Sequence, residues 1–289
     1  MAKNEIYELI DSGNGRKLER FGDYILDRPC AQALWHPQQK GSVWQHADAI
    51  FSRADGNNWE YKSSLKPSWR VTVEGIKFRL SCTDFGHLGI FPEQRDAWRW
   101  IQDAIESAKP HYDRPIEVLN LFAYSGGTSL AAAKAGANVC HLDASKGMVE
   151  WARGNSELNN LKDTSIRWIV DDVRKFLARE IRRGRRYDAI ALDPPSFGHG
   201  KRGEIFKIED DLWEILEQCR QLLSDRPLFF LLSAHTAGYS PAVMRNIVHQ
   251  LMSKHRGLIV PGEMCLKGEA DVYELPSGTY ARWSNNDFL

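Results

Sequence analysis

Three acidic positions stand directly behind short apolar runs. Asp143 follows Val139-Cys-His-Leu142, Asp171-Asp172 follow Ile166 to Val170, and Asp193 follows Ala189-Ile-Ala-Leu192. A carboxylate at a strand end can accept both hydroxyl protons of a ribose, and Asp143, 17 residues after Gly126, has the spacing for that work. Capping the helix that follows is the competing role for the same residue. Asp193 leads Asp193-Pro194-Pro195-Ser196-Phe197. Two prolines fix φ and remove two N–H donors, leaving a stiff turn with free carbonyl acceptors beside a carboxylate, and Phe197 adds a flat apolar surface. Such a turn suits a planar, nitrogen-bearing ring; a rigid loop with one packed Phe is the plainer alternative. Upstream, Val118 to Phe122 runs into Ala123-Tyr-Ser-Gly-Gly-Thr-Ser129, which places flexible backbone and exposed N–H groups where a ligand's polar end would sit. Only Gly126 and Gly127 are present there. The GxGxxG fingerprint of dinucleotide binding is missing, which weakens a nicotinamide reading.

Chemistry of this kind needs strands that end where the carboxylates stand. From Glu117 onward, apolar strands (Val118 to Phe122, Val139 to Asp143, Ile166 to Val170, Ala189 to Asp193, Leu228 to Ser233) alternate with helical segments (Leu130 to Ala135, Met148 to Leu158, Val173 to Arg182, Leu212 to Leu223, Ala242 to Met252). The alternation implies an α/β fold, a parallel sheet covered by helices whose ligands bind at the carboxyl ends of the strands. Another helix is expected over Asp96 to Ala108, closed by Lys109-Pro110. A strand-like tail follows (Leu258 to Leu266, then Tyr280 to Trp283), broken by Gly262, Gly268 and Pro276-Ser-Gly. Residues 1–80 read differently, as a small β-rich N-terminal unit in which Ser68 to Leu80 forms two strands joined at Glu74-Gly75. Residues 81–289 form the cofactor-binding domain.

Composition narrows the function classes. Lys plus Arg and Asp plus Glu number 38 each, so the formal charge is zero and the chain is no polyanion-coating protein. A hydrophobic fraction of 43% with 26% charged residues excludes intrinsic disorder. No apolar run approaches membrane-spanning length and the N-terminus lacks a signal-peptide core, so a cytoplasmic, non-membrane location is expected. Cys30, Cys82, Cys140, Cys219 and Cys265 are odd in number, scattered and never spaced CxxC, which points to no disulfide framework and no metal site.

Four stretches in order carry a resemblance: Val118 to Gly127, His141 to Asn159 (His-Leu-Asp-Ala-Ser-Lys-Gly-Met-Val-Glu-Trp-Ala-Arg-Gly-Asn-Ser-Glu-Leu-Asn), Asp171 to Leu177, and Asp193-Pro-Pro-Ser-Phe-Gly198. Together the chain resembles class I S-adenosylmethionine-dependent methyltransferases, and within them the bacterial large-subunit ribosomal RNA methyltransferases. The resemblance covers about residues 80–289 and leaves the first 80 outside it. It implies a Rossmann-like sheet, S-adenosyl-L-methionine as cofactor, and an RNA partner. Phe122 and Tyr124 stand where generic methyltransferases carry glycines and favour this subgroup. Ala123, Tyr124, Ser125, Gly126 and Gly127 would pass the methionine part of the cofactor, Asp143 with Ala144 and Ser145 would hold the ribose, and Asp172 would accept from the adenine amino group. Gly86 to Arg95 is similar to the stretch that covers the cofactor, with Phe91, Gln94 and Arg95 as its contacts, although a simple connector is the other reading of that segment.

Methyl transfer from a sulfonium asks for an in-line nucleophile and the handling of one proton. Asp193 and the Pro194 carbonyl can orient a base nitrogen while Phe197 stacks on it. Methylation at cytosine C5 would need a cysteine nucleophile. In the C5 members of the resembling group a cysteine follows the next strand; here that strand continues as Ser233-Ala-His-Thr236. Cys82 and Cys265 read as buried, inert thiols. His235 could be a base, a recognition residue or a structural histidine. Gly198 to Lys207, with Lys201, Arg202, Phe206 and Lys207, reads as a flap over a nucleotide. Seven basic residues between Arg174 and Arg186, against Glu180 alone, read either as phosphate contacts or as a solvated helix face. Competing functions are a methyltransferase for a protein side chain or small molecule, a nicotinamide-dependent oxidoreductase, and a non-catalytic RNA-binding module.

Overall fold

In the N-terminal part, alternation of buried and exposed side chains produces hairpins. The computed structural model describes residues 6–54, 56–161, 166–199, 205–269 and 271–286. They divide into one unit of Met1–Arg95 with Cys265–Ser277 and a second of Asp96–Met264 with Gly278–Leu289. In the first, β1 (Tyr7–Gly13), β2 (Arg16–Phe21) and β3 (Tyr24–Pro29) form an antiparallel meander, with a single helical turn α1 (Gly41–Trp44) after it. β4 (Ala49–Ser52) joins β3 in parallel and β5 (Asn58–Tyr61) closes a five-stranded sheet. The hairpin of β6 (Trp69–Val73) and β7 (Ile76–Leu80) turns at Glu74 and Gly75, whose φ of 50° and 70° give the paired left-handed conformation of a two-residue turn, at the position expected. Trp35, Trp44, Trp59 and Trp69 each spend their indole N–H internally, on Ser12 O, Asp11 Oδ2, Thr83 O and Phe21 O at 2.8–3.0 Å. That bonding makes them framework residues rather than stacking platforms.

The second unit is built on β8 (Glu117–Leu121), β9 (Asn138–Asp143), β10 (Ile166–Val170), β11 (Ala189–Leu192), β14 (Phe229–Ala234), β15 (Leu258–Leu266) and β16 (Leu275–Ser284), in the order β10-β9-β8-β11-β14-β16-β15. β12 (Phe197–His199) and β13 (Ile205–Lys207) pair separately as a short antiparallel hairpin. The five strands from β10 to β14 run parallel and β16 runs antiparallel to β14. α2 (Arg95–Ala108) leads in; α3 (Gly127–Lys134), α4 (Lys146–Leu158), α5 (Val173–Arg182), α6 (Ile208–Leu222) and α7 (Pro241–Leu251) connect the strands. β8, β11 and β14 are apolar almost throughout because helices cover both faces, while β10 at the edge stays half-exposed. Leu119, Leu121, Ile190, Leu192, Phe230 and Leu232 of the central strands pack with Phe176, Ile215 and Leu216 of the helices. The expected break at Pro276-Ser-Gly lies instead within β16. The ladder to β14 ends at Ala234 opposite Thr279, so Pro276 sits beyond it and its missing N–H costs no bond on that side.

Strand order reverses between β8 and β11, and a doubly wound sheet opens its ligand crevice at such a switch point, beyond the carboxyl ends. Leu121 and Leu192, the last residues of these strands, are register partners. The loops beginning at Phe122 and Asp193 therefore leave the sheet side by side.

Candidate active site

The loop after β8 is bent by unusual backbone. Phe122 and Tyr124 hold φ of 55° and 48°, and Gly126 holds 97°. Left-handed φ at two aromatic residues costs on the order of 1–3 kcal/mol each, a strain that persists where the surroundings fix the loop. Asp143 supplies part of that fixing: Oδ2 accepts the Tyr124 N–H at 2.9 Å and Oδ1 the Ser145 N–H at 2.8 Å. Asn155 of α4, fully buried, donates Nδ2 to the Ser125 carbonyl at 3.0 Å. A Cβ at Gly126 would stand 3.1 Å from the Ala152 Cβ, and one at Gly127 would stand 2.5 Å from the Trp98 ring, so backbone here lies against its neighbours with no room for a side chain. The helix cap belongs to Ser145, whose side chain accepts from Met148 N, and the capping alternative for Asp143 is thereby overturned. Burial pushes the Asp143 carboxyl above the usual range, against the pull of its Ser145 and Tyr124 N–H bonds.

Asp172 caps α5, accepting from Lys175 N at 3.1 Å. Its neighbour Asp171 pairs with Arg179. Asp193 Oδ1 accepts the Ser233 hydroxyl at 2.8 Å and Oδ2 lies 3.4 Å from His235 Nε2. Ser196 Oγ and Thr236 Oγ1, 2.7 Å apart, tie the turn to the loop after β14. Pro194 is buried and Phe197 keeps 49% of its surface exposed. The structure thus brings together Ala123, Tyr124, Ser125, Gly126, Asp143, Ala144 and Ser145 at one crevice edge and Asp193, Pro194 and Phe197 at the strand beside it. Phe91, Gln94 and Arg95 belong to the first unit: Phe91 packs its ring 5.5 Å from His87, Gln94 is buried in the short turn Pro92–Gln94, and Arg95 opens α2.

Two expectations need correction. Phe206 is buried against Phe122 (ring centroids 5.3 Å apart) instead of presented to a ligand, and the ends of Gly198 to Lys207 pair as the β12–β13 hairpin; Lys201 and Arg202 lie outside the described residues. Of the seven basic residues, Arg174 pairs with Asp211, Arg179 with Asp171 and Arg183 with Glu180, while Arg185 and Arg186 stay exposed. Cys82 and Cys265 are half-buried, not buried; the Cys82 thiol is nonetheless pushed up to about 11, first by desolvation.

A buried polar chain beneath the loop was missed. Asn120 Nδ2 donates to Ser129 Oγ at 2.8 Å, and Ser129 Oγ lies 2.9 Å from His141 Nδ1. The signal was one polar residue in each of two apolar strands, and Asn120 and His141 prove to be register partners. Burial holds the His141 pKa down at about 3. Its folded pKa lies below the unfolded value of about 6.5, so acid loads a proton onto the unfolded chain first and stability falls as pH drops from about 6.5 toward 3. Between about pH 7 and pH 5 this one group should remove about 2 kcal/mol, at 1.36 kcal/mol per unit. Urea unfolding of wild type and His141→Gln at both pH values checks it: the pH-dependent loss should shrink by that amount in the variant.

The comparisons follow from this geometry. A model of the S-adenosylmethionine-dependent methyltransferase family matches residues 19–243. The chain belongs to that family. The match starts in β2, so the resemblance takes in most of the N-terminal unit and is not confined to residues 80–289. A crystal structure of the S-adenosylmethionine-dependent methyltransferase from Agrobacterium tumefaciens is 42% identical and superposes with a TM-score of 0.90 over 96% of this chain and 90% of that one. Ribosomal RNA large subunit methyltransferase K/L of Pseudoalteromonas translucida is 34% identical over 169 residues, 57% of this chain and 22% of that protein. Ribosomal RNA large subunit methyltransferase I of Aeromonas salmonicida is 33% identical over 175 residues, 59% of this chain and 42% of that protein. This methyltransferase therefore spans less than half the length of those two relatives. The chemistry of the crevice fits the family's cofactor: an acceptor carboxylate stands at the end of β9 beside a loop whose backbone is fixed in position by positive φ and by internal hydrogen bonds. Among the described residues no helix is long and apolar enough to cross a membrane.

Proposed function

We propose that this chain methylates a base nitrogen in RNA, with ribosomal RNA as the acceptor and the cytoplasm as its place of work. The observation that carries the reading is the Asp193-Pro-Pro-Ser-Phe197 turn at the switch point, with a carboxylate held by Ser233 and His235 beside an exposed aromatic ring. The names of the curated relatives favour RNA over a protein side chain or small molecule.

Ala123 to Gly126 would hold the amino-acid end of S-adenosylmethionine, Asp143 with Ala144 and Ser145 its ribose, and Asp172 its adenine, with Phe122, Phe91, Gln94 and Arg95 as further contacts. When bound, the cofactor supplies an electrophilic methyl group on a sulfonium. Asp193 accepts an N–H of the base and so aims the nitrogen lone pair, while Phe197 stacks on the ring and limits its rotation. Asp193 Oδ2, 3.4 Å from His235 Nε2, stands ready for the proton the acceptor nitrogen releases. Cysteine-dependent C5 chemistry has no support here: β8, β11, β14 and the loops after them contain no cysteine. Cys140 within β9 is buried, its thiol pushed up to about 11, and Cys219 in α6 is buried as well.

Incubation of the chain with radiolabelled S-adenosylmethionine and separated pools of undermodified RNA, protein extract and small molecules tests the proposal. Label should enter RNA and, after digestion, co-migrate with one N-methylated nucleoside. Label in protein or small molecules, or on carbon 5 of a pyrimidine, would refute it.

A further inference from the structure

At the other end of the parallel strands lies a cavity of about 560 Å³, lined by Arg114, Arg167, Arg185 and Arg186 together with Glu117, Asn138 and Tyr187. Glu117 and Asn138 open β8 and β9, so the cavity lies at the amino edge, opposite the crevice that holds Asp143 and Asp193. Buried carboxylates fix two of the guanidinium groups. Arg114 makes a two-pronged pair with Asp188 at 2.7 and 3.0 Å, and Asp188 is 1% exposed. Arg167 does the same with Glu180 at 2.9 and 3.2 Å, where Glu180 is fully buried and also bonded by Tyr187 and Arg183. Arg185 and Arg186 are exposed and have no carboxylate partner among the described residues. With Arg183 included, five arginines face three carboxylates (Glu117, Glu180, Asp188), an excess of two positive charges on a chain whose formal charge is zero.

We infer that this amino-edge cavity is a phosphate-binding site for the backbone of the RNA acceptor, with Arg185 and Arg186 making the contacts and Arg114 and Arg167 as the fixed wall behind them. Guanidinium forks match phosphate oxygens in pairs, and pre-positioned forks lose less entropy on binding than free ones. Along β8 the two edges are separated by about 13 Å at 3.3 Å per residue, so only an acceptor of several linked nucleotides can reach both at once. A polymer is thereby favoured over a free nucleotide. The inference rests on the RNA reading above and adds how the RNA is held.

The test uses the full chain and large-subunit ribosomal RNA transcribed without modification. For the double variant Arg185→Ala/Arg186→Ala, RNA affinity at low salt should weaken on the order of thirtyfold. The slope of log affinity against log salt should flatten by about 1.4, at 0.7 per charge on a single strand. Cofactor affinity by calorimetry should not move, and Arg185→Lys/Arg186→Lys should recover most of the binding. Wild-type binding and methylation of RNA with no change in affinity or slope in the alanine variant would overturn the inference and leave the RNA reading standing. Equal loss of cofactor affinity would mean the arginines support the fold, and also overturns it. Failure of the wild type to bind or methylate any RNA would bring down both.

Discussion

Replacing Asp193 by alanine should lower turnover by about 10²- to 10⁴-fold, the range for removing a positioned proton-handling group, while cofactor affinity stays within about twofold. The carboxylate is tied to Ser233 and His235 and leads a turn whose two prolines donate nothing, so no other side chain of that turn can take over. Asp193→Asn should retain the hydrogen bond from Ser233 but present an amide to the acceptor, and recover only part of the rate. Single-turnover transfer together with calorimetry separates these effects; a parallel fall in binding and turnover would make Asp193 a cofactor residue instead.

Asp143→Ala should cost about 2–3 kcal/mol of cofactor affinity, on the order of fiftyfold, because it removes the charged acceptor and leaves two loop N–H groups without one. The fold should survive, since the side chain sits at a strand end and supports no apolar packing. The pH dependence has a definite sign. Burial raises the folded pKa of Asp143, so the folded chain takes up this proton more readily than the unfolded one. Its contribution to stability is present in acid and fades as pH rises through the raised value. Cofactor affinity runs the other way: protonation removes acceptor capacity, so binding should fall on acidification at a pH above the usual Asp range. Calorimetric titration across that window, with Asp143→Ala showing no such fall, checks it.

Much of this architecture could be read before any coordinates. Parallel strands buried on both faces are near-continuous apolar runs, and the carboxylates at the ends of β9, β10 and β11 were visible by position alone. The hairpin at Glu74-Gly75 was legible because a two-residue turn with positive φ demands glycine or its few substitutes. Other features were not legible because they depend on partners distant in sequence. Arg28 and Glu19 form a buried pair only through strand pairing of β2 with β3, and Ser233 meets Asp193 across 40 residues. The pairing of Arg174 and Arg179 needed Asp211 and Asp171 in space, information that a count of charges does not hold. Phe206 stands in a segment with Lys201, Arg202 and Lys207, yet the hairpin turns it inward onto Phe122.

The Asn120, Ser129 and His141 chain bears on how the sheet assembles. Parallel strands of plain aliphatic residues can pair in several frames of nearly equal energy, since every frame buries the same kind of surface. Between β8 and β9 only the native frame sets Asn120 against His141 with Ser129 above them. A slip of β9 by one residue would turn His141 away from Ser129 and leave its Nδ1 without that partner in hydrocarbon, at about 1–3 kcal/mol for the unsatisfied group. The three polar side chains thus act as a key cut into the middle of the sheet: they disfavour every misaligned pairing of β8 with β9 relative to the native one, and so align the strand ends from which the crevice is built.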